Sequence, residues 1–250
     1  MNRVLFEPFE VHDGVAEFGG VRAEHVMKVL HGEVGQVLRT GELDGKIGTG
    51  VITEISDGGA RLRVKVAHVE ESLAPWIDLV LAPPRPRVMK RLLPQLASLG
   101  VGRIVLVGAK KVEKDFWGAT LLKEENYRPL LVDGLMQAGT SVVPKLELRR
   151  NFRKFVMEEL ETMFPTGERI VAHPYAAEPR EGGSVSARAA GAAEAPRGRP
   201  LLAVGPEGGW TDEEVALLER HGFRRYSLGP RILRTDTATV ALLAKLNTED

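Results

Sequence analysis

Near Glu70-Glu71-Ser72-Leu73-Ala74-Pro75 the hydrophobic rhythm of this 250-residue chain changes, and the two sides of that point ask for different architectures. Before it, residues 3–6, 15–18, 36–39, 50–55 and 61–66 alternate or carry β-branched side chains, the period of short strands. Asp13-Gly14, Asp44-Gly45 and Asp57-Gly58-Gly59 punctuate them as turns. A single helix is expected over 23–30, with Val26, Val29 and Leu30 on one face. So many short strands in about seventy residues predict a small β-barrel.

After it, apolar strands alternate with helical patterns. Strands are expected at 77–81, 104–107, 146–148, 170–172, 201–204 and 225–228. Helices are expected at 88–99, 121–138, 152–163 and 235–246, the first kinked or split by Pro94. A further helix opens at Thr211, which with Glu214 forms a capping-box pattern, and runs to about His221. Strand alternating with helix predicts a parallel sheet covered on both faces. The chain thus reads as an α/β protein with domains at 1–72 and 73–250. Residues 176–200, rich in Ala, Gly, Arg, Glu and Pro without apolar periodicity, read as a flexible surface loop with no catalytic content.

Composition narrows the chemistry. With 43% hydrophobic and 27% charged residues a proper core is available. The absence of cysteine excludes disulfide frameworks, thiolate nucleophiles and iron–sulfur clusters. Residues 1–7 turn polar too early for a signal peptide, and no apolar run approaches the roughly 20 residues of a membrane span. A soluble, cytoplasmic protein without membrane contact is the expectation. Net charge is zero, yet its distribution is uneven. Arg85, Arg87, Lys90, Arg91, Arg103, Lys110, Lys111 and Lys114 stand against Glu113 alone, and Lys145, Arg149, Arg150, Arg153 and Lys154 against Glu147 alone. Such runs predict a basic surface suited to phosphate.

Two segments stand above this background. Gly205-Pro206-Glu207-Gly208-Gly209-Trp210 lies between an apolar strand and a capped helix, where glycine lets backbone approach a ligand at a strand's carboxyl end. A tight turn feeding a helix explains it equally well. It lacks the Gly-Lys-Ser/Thr of a P-loop and the spacing of a dinucleotide fingerprint. The second, Leu228-Gly229-Pro230-Arg231-Ile232-Leu233-Arg234-Thr235-Asp236-Thr237-Ala238, holds more charge and hydroxyl than a helix cap needs, although Thr235 or Asp236 also suits an N-cap. The six histidines show no metal-ligand spacing, so no metal site is expected, and no Gly-x-Ser-x-Gly elbow exists.

In this order, each at a strand end and about twenty residues apart, the two segments resemble the motifs of the RsmE family, bacterial enzymes that methylate N3 of a uridine in 16S ribosomal RNA. His25-Val26-Met27-Lys28-Val29-Leu30 and Gly134-Leu135-Met136-Gln137-Ala138 extend the resemblance over nearly the whole chain. It implies a C-terminal SPOUT domain with a trefoil knot, a PUA-like RNA-binding β-barrel in front, a homodimer, and 16S ribosomal RNA or the small ribosomal subunit as partner. It further implies S-adenosylmethionine (SAM) as cofactor, held by Val204, Gly205, Pro206, Glu207, Gly208, Gly209, Leu228, Gly229, Ile232, Leu233, Arg234, Thr237 and Ala238. Arg234 is the expected electrostatic stabiliser of a uridinate, and Glu207 or Asp236 the base. Where family members commonly carry Glu, this chain has Asp236. Another SPOUT methyltransferase, acting on a ribose 2′-hydroxyl or a tRNA guanine, and an RNA-binding assembly protein without catalysis are the alternatives.

Overall fold

The computed structural model describes residues 3–175 and 198–247. All but the end of the loop expected at 176–200 lies outside the described residues. The chain divides into two compact units. Residues up to Ala74 together with Arg128–Val143 form one, and Pro75–Tyr127 with the chain from Pro144 onward form the other.

The first unit is built on six strands: β1 (Val4–Phe6), β2 (Val11–His12), β3 (Val15–Gly19), β4 (Val37–Glu42), β5 (Ile47–Ser56) and β6 (Arg61–Glu70). Their order is β1-β4-β5-β6-β3-β2, antiparallel except for the β1–β4 pair. Alternation works as the sequence implies: in β4 and β6, Leu38, Leu62 and Val64 point inward and Val37, Arg63 and Lys65 outward. They meet Phe6, Phe18, Ala23 and Val26, the last two from the helix Gly20–Lys28. Phe6 and Phe18 lie 5.3 Å apart, with the Arg22 guanidinium over both rings and paired with Glu10. The barrel expectation needs correction. Among the described residues no ladder joins β1 to β2, so the sheet is open. Its edge strands have only three and two residues, too few to close a ring. The Arg3 guanidinium ties this unit together, donating to the carbonyls of Thr40 (2.7 Å), Gly48 (2.9 Å) and Gly139 (3.0 Å).

The second unit holds β7 (Ile77–Leu81), β8 (Val101–Val107), β9 (Lys145–Arg149), β10 (Arg169–Ala172), β11 (Leu201–Val204) and β12 (Arg224–Tyr226). They form one parallel sheet in the order β12-β10-β11-β7-β8-β9. β7 and β11 are buried at every residue, which is why β11 reads as a continuous apolar run and β7 as one interrupted only by Asp78. The helix Pro86–Ser98 presents Met89, Leu92, Leu93, Leu96 and Ala97 to the core at helical spacing. It runs through Pro94 as one element: Pro94 forfeits one hydrogen bond, and the buried stripe on either side holds the helix. The expected helix at 121–138 begins later, at Glu124, after a 3₁₀ turn at Thr120–Leu122. The helical stretch over residues 152–163 contains a π-helical turn, Phe155–Glu159. Asp78 is buried within β7 opposite Arg199 (3.0 Å); burial pushes its carboxyl pKa up and the guanidinium opposes that rise.

Because all six strands run the same way, their carboxyl ends share one edge. At that edge of a parallel sheet, loops are free to carry ligand-binding groups.

Candidate active site

β10, β11 and β12 end side by side, and the segments that leave them enclose a cavity of about 380 Å³. This is within the range of about 300–1,000 Å³ common for small-molecule sites. β11 supplies Val204 and the turn Gly205-Pro206-Glu207-Gly208-Gly209-Trp210; the chain beyond β12 supplies Ser227, Leu228, Gly229, Arg231, Ile232 and Leu233; Thr235, Ala238 and Leu242 come from the helix Thr235–Asn247.

One buried hydrogen bond joins the two segments. Thr235 Oγ1 donates to the Gly205 carbonyl at 3.2 Å across thirty residues of chain. Thr239 Oγ1 in turn donates to the Thr235 carbonyl at 2.7 Å. Gly205 itself is pressed against Trp210, whose ring atoms and backbone nitrogen would lie 3.1–3.2 Å from any added Cβ. Gly229 has φ 115°, which other residues rarely adopt, and an added Cβ there would meet only open space. The Ser227 hydroxyl holds this turn, its one proton within reach of the Pro174 carbonyl (3.0 Å) and the Gly229 carbonyl (3.2 Å), while its oxygen accepts from the Gly229 N–H.

The wall is divided chemically. Leu228, Leu233 and Ile232 are 37%, 38% and 76% exposed, an unusual amount of open aliphatic surface for adjacent loop positions. The opposite turn contributes Gly205, Pro206, Glu207, Gly208 and Gly209. Such a cavity suits a flat apolar ring against the leucines and a polar tail along the glycine backbone.

Of the sequence-expected site residues, Val204, Gly205, Pro206, Glu207, Gly208, Gly209, Leu228, Gly229, Ile232, Leu233 and Ala238 line this cavity together. Arg234, Asp236 and Thr237 are not part of the lining. Arg234 is exposed at the cavity's margin, its carbonyl accepting from the Ala238 N–H. Asp236 lies 3.5 Å from the Arg91 guanidinium and accepts from the Thr237 N–H. Glu207 accepts from the Arg85 N–H at 3.3 Å, and Lys111 Nζ donates to the Gly208 carbonyl at 2.8 Å. Sequence reasoning missed the wall formed by Ala172, His173, Pro174 and Tyr175 after β10, and Tyr226 at the end of β12. The apolar strand ending at Ala172 was the available signal, since a parallel neighbour of β11 must end at the same edge.

Comparison with known proteins identifies the family. A family model described as an RNA methyltransferase domain matches residues 71–247. The chain is 30% identical to the ribosomal RNA small subunit methyltransferase E of Treponema pallidum, over 98% of this chain and 90% of that protein. A Legionella pneumophila methyltransferase, solved with bound cofactor SAM, is similar at 25% identity and a TM-score of 0.76, covering 98% of this chain and 96% of that one. The ribosomal RNA small subunit methyltransferase E of Neisseria gonorrhoeae, solved with S-adenosyl methionine, shares the fold at 22% identity and a TM-score of 0.75, covering 99% and 97%. The chain belongs to the RNA methyltransferase domain family, alongside the proteins named ribosomal RNA small subunit methyltransferase E.

Proposed function

We propose that this protein methylates N3 of a uridine in 16S ribosomal RNA, using SAM held in the cavity between the Gly205–Trp210 and Leu228–Leu233 turns. The observation that carries the reading is the Thr235–Gly205 hydrogen bond, which makes one cavity of two segments that are separate in sequence. The residues fit such a cofactor. Aliphatic side chains at Leu228, Ile232 and Leu233 offer a face to adenine. The wall is open at Gly209 and Gly229, where a side chain would fill it.

When bound, SAM supplies a methyl group activated on a sulfonium cation. The chain's own residues have three tasks. Uridine N3 holds its proton at neutral pH and is a nucleophile only without it, so a base must accept that proton. Glu207 takes this role in preference to Asp236. Glu207 is a residue of the cavity wall, and its carboxylate accepts only a long bond from the Arg85 N–H (3.3 Å). Asp236 is outside the lining, and its carboxylate faces the Arg91 guanidinium and the Thr237 N–H. Arg234, at the margin, stabilises the negative charge left on the uracil oxygens. A cofactor and target base seated against the aliphatic side chains would displace water from them, which strengthens both effects.

The same reading takes the first unit as a PUA-like RNA-binding domain, open sheet included, and the second as a knotted SPOUT domain working as a homodimer in the cytoplasm. The exposed Ile232 favours the dimer, since a second copy would cover it. None of the helices described is long and apolar enough to cross a membrane. The target base must leave its stack to enter the cavity, so it belongs to a splayed or single-stranded region. Incubation with SAM and 16S RNA, followed by digestion and mass mapping, tests the proposal. A gain of one methyl group on a uracil base is expected. Methyl on a ribose 2′-hydroxyl or on guanine refutes the uridine assignment.

A further inference from the structure

A second cleft of about 390 Å³ opens at the same carboxyl edge of the sheet. It lies where the chain leaves β8 and β9, and its far wall is the first turn of the helix Asp212–Arg220. The two loops meet at backbone distance. Gly108 N–H donates to the Arg149 carbonyl at 2.9 Å, and a Cβ at Gly108 would lie 1.9 Å from the Arg150 carbonyl oxygen, so only glycine fits. The cations along the cleft are Lys110, Arg150 and Arg153, all exposed.

Four arginines of this unit's basic runs are tied to carboxylates, and the three cations of the cleft are not. Arg85 is bound to Glu113 (2.8 Å), Arg91 to Asp236 (3.5 Å), Arg103 to Glu147 (3.5 Å) and Arg149 to Glu147 (2.9 Å). Their charge is neutralised within the protein. Lys110, Arg150 and Arg153 make no ion pair with any described residue, although two carboxylates, Glu213 and Glu214, line the same cleft. Glu214 is occupied, accepting from the Thr211 N–H (2.8 Å), the Thr211 hydroxyl (3.1 Å) and the Lys110 N–H (2.8 Å). Those donors are neutral, so Glu214 keeps its charge but is pinned to the backbone. Three cations thus face two carboxylates, of which Glu213 is the one without such partners. Arg150 donates through Nη2 to the Trp117 carbonyl at 3.2 Å, with its guanidinium 5.9 Å from the Trp117 ring.

The two cavities share a wall. Trp210 lines the first, and its ring lies 5.2 Å from that of Phe152, which lines the second. Thr211, the next residue, lines the second cleft, and Lys111 reaches back to the Gly208 carbonyl. A chain with regularly spaced negative charges, seated in the second cleft, would lie one turn of protein away from the first.

We propose that this cleft binds the phosphodiester backbone of RNA flanking the nucleotide to be methylated, with Lys110, Arg150 and Arg153 as its phosphate-binding cations. This rests on the functional reading given above. The test measures equilibrium binding of the full chain to labelled, protein-free 16S RNA over a series of salt concentrations, alongside methyl transfer from SAM. The triple variant Lys110→Ala, Arg150→Ala, Arg153→Ala is expected to lower the slope of log affinity against log salt by about 2, since each phosphate contact to a single strand contributes about 0.7. It should raise KM for RNA at least about tenfold, with SAM affinity and thermal midpoint held. Glu213→Gln removes one of the two opposing charges and should tighten RNA binding a few-fold, a gain that a structural role would not produce.

An unchanged slope and KM in the triple variant overturns the cleft assignment. A defect seen only with assembled small subunits, and not with protein-free RNA, also overturns it, by pointing to a ribosomal protein as the occupant. Methyl transfer reports separately: binding and slopes as expected, with no methylated nucleotide in the wild type, overturns the functional reading alone.

Discussion

Arg3 in the first unit and Thr235 in the second both tie distant backbone carbonyls with a side-chain donor, and the outcomes differ. Arg3 joins Thr40, Gly48 and Gly139, and the strands around it pack Phe6 and Phe18 out of contact with water. Thr235 joins the helix start to Gly205, and beside that bond a cavity stays open with Ile232 three-quarters exposed. Polar satisfaction closes one region and props the other open. Stability therefore resides in cores such as that of the first unit, and the proposed function assigns ligand affinity to the two turns of the second.

The largest expected separation comes from Phe6→Ala. Removing a fully buried aromatic ring should cost about 3–5 kcal/mol of stability, read as a fall in the thermal midpoint, while the folded protein binds SAM as before. If SAM affinity of the folded fraction falls as well, the contrast between the regions is wrong. Arg234→Ala should do the reverse: an unchanged thermal midpoint, with kcat reduced roughly 10²–10³-fold as for loss of an oxyanion-stabilising donor and SAM affinity largely retained. Normal turnover would remove Arg234 from its role.

Gly205→Val tests the turn itself. Its side chain must displace Trp210, an overpacking cost of about 1–3 kcal/mol, and calorimetry should show SAM binding weakened by about one to two orders of magnitude. A smaller loss is expected from Thr235→Ala, which leaves the Gly205 carbonyl without its donor, roughly 1 kcal/mol; Thr235→Ser should restore it.

The smallest effect concerns pH and sharpens the first unit's side of the contrast. Burial lowers the pKa of His68, which contacts Thr40 Oγ1 at 2.9 Å. The unfolded chain then binds the proton more readily than the folded one. This contribution to stability is complete above the unfolded value of about 6.5 and is lost as pH falls toward the lowered folded value. Thermal unfolding between pH 7.5 and 5 should show that decline, and His68→Gln should flatten it.

Much of this was legible in the sequence because it is local. Leu201–Val204 is an unbroken apolar run, Ile77–Leu81 is apolar but for Asp78, and the Thr211–Glu214 capping box forms as written. The unreadable parts depend on pairing across the chain. Val11–His12 is too short to show a period, and Ala172–Tyr175 joins the cavity only because β10 lies between β11 and β12. Helix geometry explains why the second motif is only partly in the wall. Thr235, Ala238 and Leu242 fall at i, i+3 and i+7 and face the cavity, while Asp236 and Thr237 are turned off that face. The open edge of the first unit's sheet had no sequence signature, since strand count alone does not tell a ring from an open sheet.

The most direct test is a crystal structure of the protein with SAM. The adenine is expected against Leu228, Ile232 and Leu233, with the rest of the molecule along the Gly205–Gly209 backbone. SAM bound elsewhere, or the two turns parted with the Thr235–Gly205 hydrogen bond broken, would contradict the account.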